Sequence, residues 1–264
     1  MKTRNFEGPY SDVNNLLSLI MTRIKSILGE KLAGLYLGGS LVLGDFDPQI
    51  SDIDLVAVLT SEVNDKEFEI LEKMHTKLVQ EYKQWDDRIE VCYISADALK
   101  HIKSRTSSIV NISPGEPFHR MESSKKWLMN WYLVREKSIA LFGPSPTTII
   151  QPISKQEFIQ SVKDHAQSWN KWVRNMHTRS AQAYSILTMC RALYAYTKGD
   201  QTSKRKAASW AQKKLPQWTN IIQDALAWRE SNDKRMDKAA YSQTEQFVSY
   251  VRNQILDKSL HRQN

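Results

Sequence analysis

The chain has 264 residues, 41% of them hydrophobic and 25% charged, and its formal net charge is +8. These proportions are typical of a globular protein. They exclude extensive disorder. A membrane span is not expected either, because no apolar run reaches the roughly 20 residues needed to cross a bilayer. The positive charge favours anionic partners, either nucleotide phosphates or nucleic acid.

The remaining whole-chain signals concern location and thiol chemistry. The N-terminal sequence MKTRNFEGPYSDV lacks the apolar core of a secretory signal, so we expect a cytoplasmic protein. Cys92 and Cys190 both fall in apolar runs, which predicts buried and reduced thiols. Their expected role is packing.

The first elements in chain order lead to a glycine turn. Apolar residues recur at helical spacing over residues 11–28, which predicts an amphipathic helix. Residues 31–37 are apolar enough to form a strand, and Gly38 and Gly39 follow it directly. A short helix starting at Ser40 would then point its N-terminus at a bound anion.

The second predicted strand, residues 52–59, carries two aspartates at its start. Successive side chains of a strand point to opposite faces, so Asp52 and Asp54 leave the same face. Neighbouring carboxylates repel each other, and a divalent cation is the usual way to stabilise such a pair. Oxygen ligands suit Mg²⁺, which in turn carries substrate phosphates. Together with the upstream glycine turn, the pair predicts a metal and nucleotide site.

A third carboxylate lies on the next predicted strand. Helical spacing over residues 67–82 predicts a crossover helix, and alternation over residues 88–94 predicts a third strand that contains Glu90. Taken alone, Glu90 fits equally well as a solvent-facing charge on an edge strand. Beside the aspartates of a neighbouring strand it is predicted to be a third acidic ligand or a general base.

The chain changes character towards its C-terminal half. Residues 104–121 are rich in turn formers and predict a covering loop, followed by a helix over 125–137 and a short strand over 139–143. From residue 154 onward no strand pattern remains, and we predict four or five helices with breaks at Gly199 and Pro216. We therefore expect two domains, residues 1–150 containing strands and helices and residues 151–264 all-helical.

The ordered motifs resemble a known superfamily. Gly39-Ser40, then Ser51-Asp52-Ile53-Asp54 and, one strand later, Glu90 are similar to the signature of the DNA polymerase β-like nucleotidyltransferases. In the helical half, TMCRALYAYTKGDQTSKRKAASWAQKKLP (188–216) resembles the C-terminal domain of the streptomycin/spectinomycin adenylyltransferases. The segment EKSIALFGP (136–144) looks like the join between the two domains of that aminoglycoside adenylyltransferase family.

The resemblance implies both a fold and a reaction. The fold is an α+β nucleotidyltransferase domain, with a small mixed sheet and helices, followed by an all-α domain that binds substrate and nucleotide. The reaction is Mg²⁺-dependent transfer of AMP from ATP, the co-substrate, to a hydroxyl of an aminoglycoside antibiotic, with release of pyrophosphate. A monomer that acts on small molecules is expected.

The resemblance also carries roles over to individual residues. Asp52 and Asp54 match the Mg²⁺ ligands, while Glu90 matches the general base and, in polymerase-like relatives, a third metal ligand. The other matches concern the nucleotide: Gly39 and Ser40 in the turn, Ser51 at the phosphates, Lys204 reaching the phosphates from the helical domain, Arg191 at the cleft between the domains, and Trp228 near the adenine.

Two departures from the family pattern concern which acceptor the protein uses. Where streptomycin-handling members carry Gly-Glu-Trp, this chain reads Gly115-Glu116-Pro117, and Ala181 stands in place of an aspartate ten residues before the cleft arginine. Spectinomycin is therefore favoured over streptomycin.

Two alternatives stay open. One is a nucleotidyltransferase for another small hydroxylated molecule, such as a lincosamide. The other is a non-catalytic, nucleic-acid-binding or regulatory module that uses the basic helices, although the chain has no strand platform of interleaved aromatic and basic residues.

Overall fold

The computed structural model describes residues 6–231 and 233–257. The chain divides between Ile153 and Ser154 into two compact units. Within the described ranges, no helix combines the length and the apolar character that a bilayer crossing demands.

The N-terminal unit is built on one mixed sheet. Its strand order is β5-β4-β3-β2-β1-β6, with a parallel pair at β2–β3 and antiparallel pairs elsewhere. The predicted strand at 31–37, the acidic strand, the Glu90 strand and the short strand at 139–143 are confirmed as β1, β2, β3 and β6. The strands are β1 (Leu32–Leu37), β2 (Ile53–Leu59), β3 (Ile89–Ser95), β4 (Ser107–Ser113), β5 (Glu116–Ser123) and β6 (Ile139–Phe142).

Two long helices supply the core on one face of this sheet. The periodic apolar residues of α1 (Ser11–Leu28) and α3 (Asp65–Glu81) pack against alternate residues of the strands, such as Leu35 and Leu55, which are at most 2% exposed. A capping box at Asn64 fixes the start of α3. The shorter helices of the unit are α2 (Gly39–Leu43), α4 (Ala96–Lys100), α5 (Leu128–Lys137) and α6 (Pro146–Ile149).

The prediction of a covering loop over residues 104–121 is wrong. The structure forms a hairpin there, β4 and β5, with a tight turn at Pro114 and Gly115, where Gly115 has φ +79°. Pro114 and Gly115 lie at the hairpin tip, and the preceding residues SSIVNIS form β4 and pair with β3. Pro117 is tolerated because β5 is an edge strand of the sheet.

The C-terminal unit is helical, so the predicted fold class of an α+β domain followed by an all-α domain is confirmed. Its described part has five α-helices, and the predicted breaks at Gly199 and Pro216 separate three of them. Gly199 ends a helix with φ +67°. The helices are α7 (Lys155–Trp172), α8 (Arg179–Lys198), α9 (Lys204–Lys214), α10 (Thr219–Glu230) and α11 (Lys238–Leu256).

Both cysteines are free and buried, as predicted. Burial raises the pKa of the Cys92 thiol, with a further contribution from the Glu90 carboxylate, and burial likewise raises the pKa of Cys190. Neither thiol is therefore a ready nucleophile.

Candidate active site

Three carboxylates converge where β2 and β3 run side by side. The parallel register pairs Asp54 with Glu90, so their side chains leave the same face of the sheet, and Asp52 lies just before β2. One oxygen from each residue lies within 4.8 Å of the others, and all three residues are half-buried. Glu90, which is distant in sequence, thus joins Asp52 and Asp54 in a single acidic cluster.

The glycine turn approaches this cluster closely. Gly38 N–H donates to the Asp54 carbonyl at 2.9 Å, which ties the turn to β2. Gly39 has φ +63°, and a Cβ built there would lie 1.6 Å from Asp54 Oδ2. Only glycine therefore fits beside the carboxylate. Ser40 follows in α2, and its hydroxyl is buried without a hydrogen-bond partner, which leaves it available to a ligand.

Ser51 closes the other side of the same site. It is 2% exposed, its hydroxyl accepts the Asp47 N–H at 2.9 Å, and its own N–H donates to the Asp47 carbonyl at 2.8 Å. The hydroxyl proton of Ser51 is not used by these contacts. Residues 47–51 thus form a hydrogen-bonded turn that leads directly into Asp52.

Arg88 is a site residue that the sequence reasoning missed. Its guanidinium donates to the carbonyls of Ser51 and Pro48, at 3.0 Å from Nε and 2.8 Å from Nη2, and stacks 4.6 Å from the Trp85 ring. Burial lowers the pKa of Arg88, while the carboxylates of Asp52 and Asp47 raise it. Arg88 therefore holds the loop that presents Asp52. No local sequence signal marks this role, because Arg88 looks like an ordinary charge before a strand.

The acidic cluster fits a magnesium ion. Mg²⁺ takes oxygen ligands at about 2.1 Å in octahedral geometry, so two ligands on opposite sides of the ion lie about 4.2 Å apart. The three carboxylate oxygens lie within 4.8 Å of one another, which is compatible with that span. The buried Ser40 hydroxyl and the cradle at Gly39 add a polar pocket next to the ion.

The other predicted nucleotide contacts, Arg191, Lys204 and Trp228, lie in the helical unit. Lys204 Nζ lies 5.4 Å from the ring centroid of Tyr184. Arg191 lies near His165, whose pKa is lowered to about 4 by burial and, less strongly, by the charge of Arg191.

Trp228 has a different environment within that unit. It is 9% exposed, and the Arg179 guanidinium lies 5.4 Å from its ring. Arg179 also forms ion pairs with Asp233 at 3.1 Å and Asp237 at 2.7 Å. Most of the Trp228 surface is therefore already packed.

Comparison with protein families finds a match for each unit. Residues 20–114 match the nucleotidyltransferase domain model, and residues 148–254 match the model of the aminoglycoside adenylyltransferase C-terminal domain.

Curated proteins match over nearly the whole chain. An aminoglycoside (3'') (9) adenylyltransferase of Shigella flexneri is 25% identical over 94% of this chain and 97% of its own length. A spectinomycin 9-adenylyltransferase of Staphylococcus aureus is 23% identical over 88% of this chain and 91% of its own.

A solved structure shares the fold. It is the crystal structure of spectinomycin adenyltransferase AAD(9) from Enterococcus faecialis with ATP and spectinomycin. It superposes with a TM-score of 0.72, at 15% identity, over 92% of this chain and 99% of that one.

Proposed function

Because the chain belongs to the aminoglycoside adenylyltransferase family, within the DNA polymerase β-like nucleotidyltransferases, we propose that it transfers AMP from ATP to a hydroxyl of an aminoglycoside and releases pyrophosphate. The observation that carries this proposal is the cluster of Asp52, Asp54 and Glu90, with ligand oxygens within 4.8 Å, beside the glycine cradle. The relatives named as adenylyltransferases of aminoglycosides and of spectinomycin support the choice of acceptor.

Asp52 and Asp54 are the proposed metal ligands. A magnesium ion held there would neutralise charge on the nucleotide phosphates and orient them. Arg88 keeps the Asp52 loop in position through the carbonyls of Ser51 and Pro48. Ser40 offers its unpartnered hydroxyl, and Ser51 its hydroxyl proton, to phosphate oxygens.

Glu90 is the proposed general base. It would accept the proton of the acceptor hydroxyl as that oxygen forms its bond to the α-phosphorus of ATP and the bond to pyrophosphate breaks. Such proton transfer contributes about 10²- to 10⁴-fold to the rate. The same carboxylate lies close enough to Asp54 to serve as a third metal ligand, and the experiment below separates the two roles.

The helical unit is proposed to contribute to nucleotide binding. Lys204 would neutralise phosphate charge, with Arg191 as a second cation and Trp228 near the adenine. Because Trp228 is 9% exposed and the Arg179 guanidinium lies over its ring, only a small part of its surface is open to a base.

The proposed acceptor is spectinomycin in preference to streptomycin. Pro117 and Ala181 stand where the streptomycin-handling members have tryptophan and aspartate, so two groups that would contact streptomycin are absent. The same two positions leave room for another hydroxylated acceptor, a lincosamide among them.

The test is magnesium-dependent pyrophosphate release from ATP by the full chain across a panel of aminoglycosides and lincosamides. We expect release with spectinomycin. Release with a lincosamide alone would move the chain to the alternative acceptor, and no release together with salt-sensitive RNA binding would replace the proposal with a binding module.

Glu90→Gln assigns the role of the third carboxylate. Lost turnover with unchanged Mg²⁺ and ATP affinity identifies a base, because the amide cannot take the proton. Weakened metal binding identifies a ligand instead.

A further inference from the structure

The sheet face that carries the acidic cluster continues with polar side chains onto the hairpin. Val91 pairs with Ile112 in the antiparallel β3–β4 ladder, and this register extended by one residue puts Ser113 on the side of Glu90. Asn111 pairs with Cys92, which shares the Glu90 face, and also pairs with His119 of β5. The opposite face of the same strands is apolar core, so alternation alone brings these polar side chains onto the catalytic side.

An irregular register turns one more carboxylate onto this face. The β4–β5 pairing shifts between Asn111 and Ser113, which brings Ser113 opposite Glu116. Ser113 Oγ then donates to Glu116 Oε2 at 3.3 Å, and His119 Nε2 lies 3.9 Å from the same oxygen. A bulge commonly re-aims a side chain in this way next to an active site.

His119 has a defined hydrogen-bonding role at this surface. Its Nδ1 lies 2.7 Å from the Pro117 carbonyl, which can only accept, so Nδ1 carries a proton. In the neutral ring, Nε2 is then an acceptor on the side of Glu116. Glu116 and His119 therefore both offer acceptor atoms at the edge of the sheet.

Asn111 supplies an independent sign of a ligand. It is 4% exposed, and its Oδ1 is buried without a hydrogen-bond partner. A buried carbonyl oxygen left unsatisfied costs stability and is rare in native proteins, so such a group calls for an explanation. A donor group brought in by a substrate would satisfy it.

We propose that Asn111, Ser113, Glu116 and His119, here called the hairpin polar patch, bind a protonated amine and a neighbouring hydroxyl of the acceptor next to Glu90. This proposal rests on the proposed function and names its substrate class, a cationic amino-alcohol. Glu116 attracts the ammonium group, and Asn111 Oδ1 accepts a hydrogen bond from the acceptor.

The patch also explains how a basic chain holds a cationic acceptor. The net charge of +8 disfavours cations over the protein as a whole, so a local acidic surface is required. Glu122 does not provide it, because it shares the face of β5 with Arg120 and Phe118, which pack against α3. The bulge at Ser113 brings Glu116 to the Glu90 side instead.

The test compares three variants of the full chain with spectinomycin as the acceptor. Glu116→Gln should raise the acceptor KM about three- to fivefold, the range for a half-exposed ion pair. Asn111→Leu should raise it about tenfold while raising Tm by about 2–4 °C, because the unsatisfied oxygen is removed. Glu122→Gln is the matched control and should leave the acceptor KM and Tm unchanged. None of the three variants should change the KM for ATP.

An acceptor with blocked amines sharpens the assignment. Spectinomycin acetylated on its amines should bind wild type and Glu116→Gln equally, because no ammonium group remains. If the acetylated compound still bound wild type and Glu116→Gln with different affinities, the proposed contact between Glu116 and the amine would be overturned.

The remaining outcomes separate the patch from the reaction. Acceptor KM values within twofold of wild type for Asn111→Leu and Glu116→Gln, with turnover intact, overturn the patch and leave the proposed function standing. If wild type transfers no AMP, calorimetric binding of spectinomycin decides. Binding weakened in Glu116→Gln supports the patch while the proposed function fails, and equal or absent binding overturns the patch.

Discussion

The two faces of the N-terminal sheet are built by the same strands and differ most at the start of β2 and β3, where one face is apolar and the other carries carboxylates. On one face, Leu35, Val91 and Val110 pack beneath α1 and α3 and are at most 1% exposed. On the other, Asp54 and Glu90 stand in register on adjacent strands. One residue of alternation separates the core from the proposed catalytic carboxylates, so the register of β2 against β3 sets the position of both.

Stability and the proposed activity therefore depend on different faces of the sheet. Residues on the helix-covered face lower the free energy of the folded state by burying apolar area. The three carboxylates of the acidic face repel one another and raise it. Substitutions on the helix-covered face should therefore lower stability and spare activity, whereas substitutions of the carboxylates should lower activity and spare stability.

Asp54→Asn should lower activity without lowering stability. We expect kcat/KM for AMP transfer to fall about 10³-fold, because Asp54 is a proposed metal ligand and a bound metal ion supplies several kcal/mol of charge stabilisation. Without Mg²⁺, Tm should stay equal or rise, since one repelling charge is gone. Steady-state pyrophosphate release and thermal unfolding of the same preparation measure both, and a large drop in Tm would contradict the division between faces.

Leu35→Ala should lower stability without lowering activity. Leu35 is fully buried on β1, and truncating such a leucine typically costs about 3 kcal/mol of unfolding free energy through lost burial and a cavity. Urea unfolding should show this loss while kcat at a temperature below the transition is retained. Ile139→Ala on β6 is the control; Ile139 is 38% exposed, so its truncation should cost far less.

Gly39→Ala tests the contact between the turn and the acidic face. The added Cβ would meet Asp54 Oδ2 at 1.6 Å and must displace the carboxylate, which we expect to lower kcat about 10²-fold. Gly44→Ala is the matched control, because Gly44 also has positive φ, +70°, but its Cβ would meet nothing within 4 Å. Equal activity losses in the two variants would show that backbone strain, rather than the carboxylate, is responsible.

His75 adds a pH dependence to the helix-covered face. It is 2% exposed, its Nε2 lies 2.7 Å from the Tyr93 hydroxyl, and burial lowers its pKa to about 4. Because the folded-state pKa lies below the unfolded value of about 6.5, the unfolded state takes up more protons as the pH falls. Stability is therefore full above about pH 6.5 and is lost as the pH falls towards 4.

Denaturant unfolding at pH 7 and pH 5 measures this effect. Each such histidine should cost about 2 kcal/mol between those pH values. His165 of the helical unit also has its pKa lowered to about 4, so His75→Gln should remove about half of the pH dependence. A variant as pH-sensitive as wild type would contradict the assignment to His75.

The periodic elements could be predicted from sequence because their signals are local. The helix at 11–28 and the breaks at Gly199 and Pro216 follow from apolar spacing and from residues that end helices, and all are confirmed. The hairpin was missed because Pro114, Gly115 and Pro117 outweighed the strand pattern of SSIVNIS. That alternating, β-branched run was the signal that could have identified β4, and with it Asn111.

That Asp52 and Asp54 share a face and follow a glycine turn could be read from the amino-acid sequence alone, because strand alternation is a property of the backbone. Only the tertiary structure decided that Glu90 lies opposite Asp54, that Arg88 clamps the loop before Asp52 and that a bulge turns Glu116 towards His119. The physical reason is that pairing between strands is non-local. The register of β3 against β2 and β4 is fixed by the shared core on the opposite face, not by the residues that stand in the site.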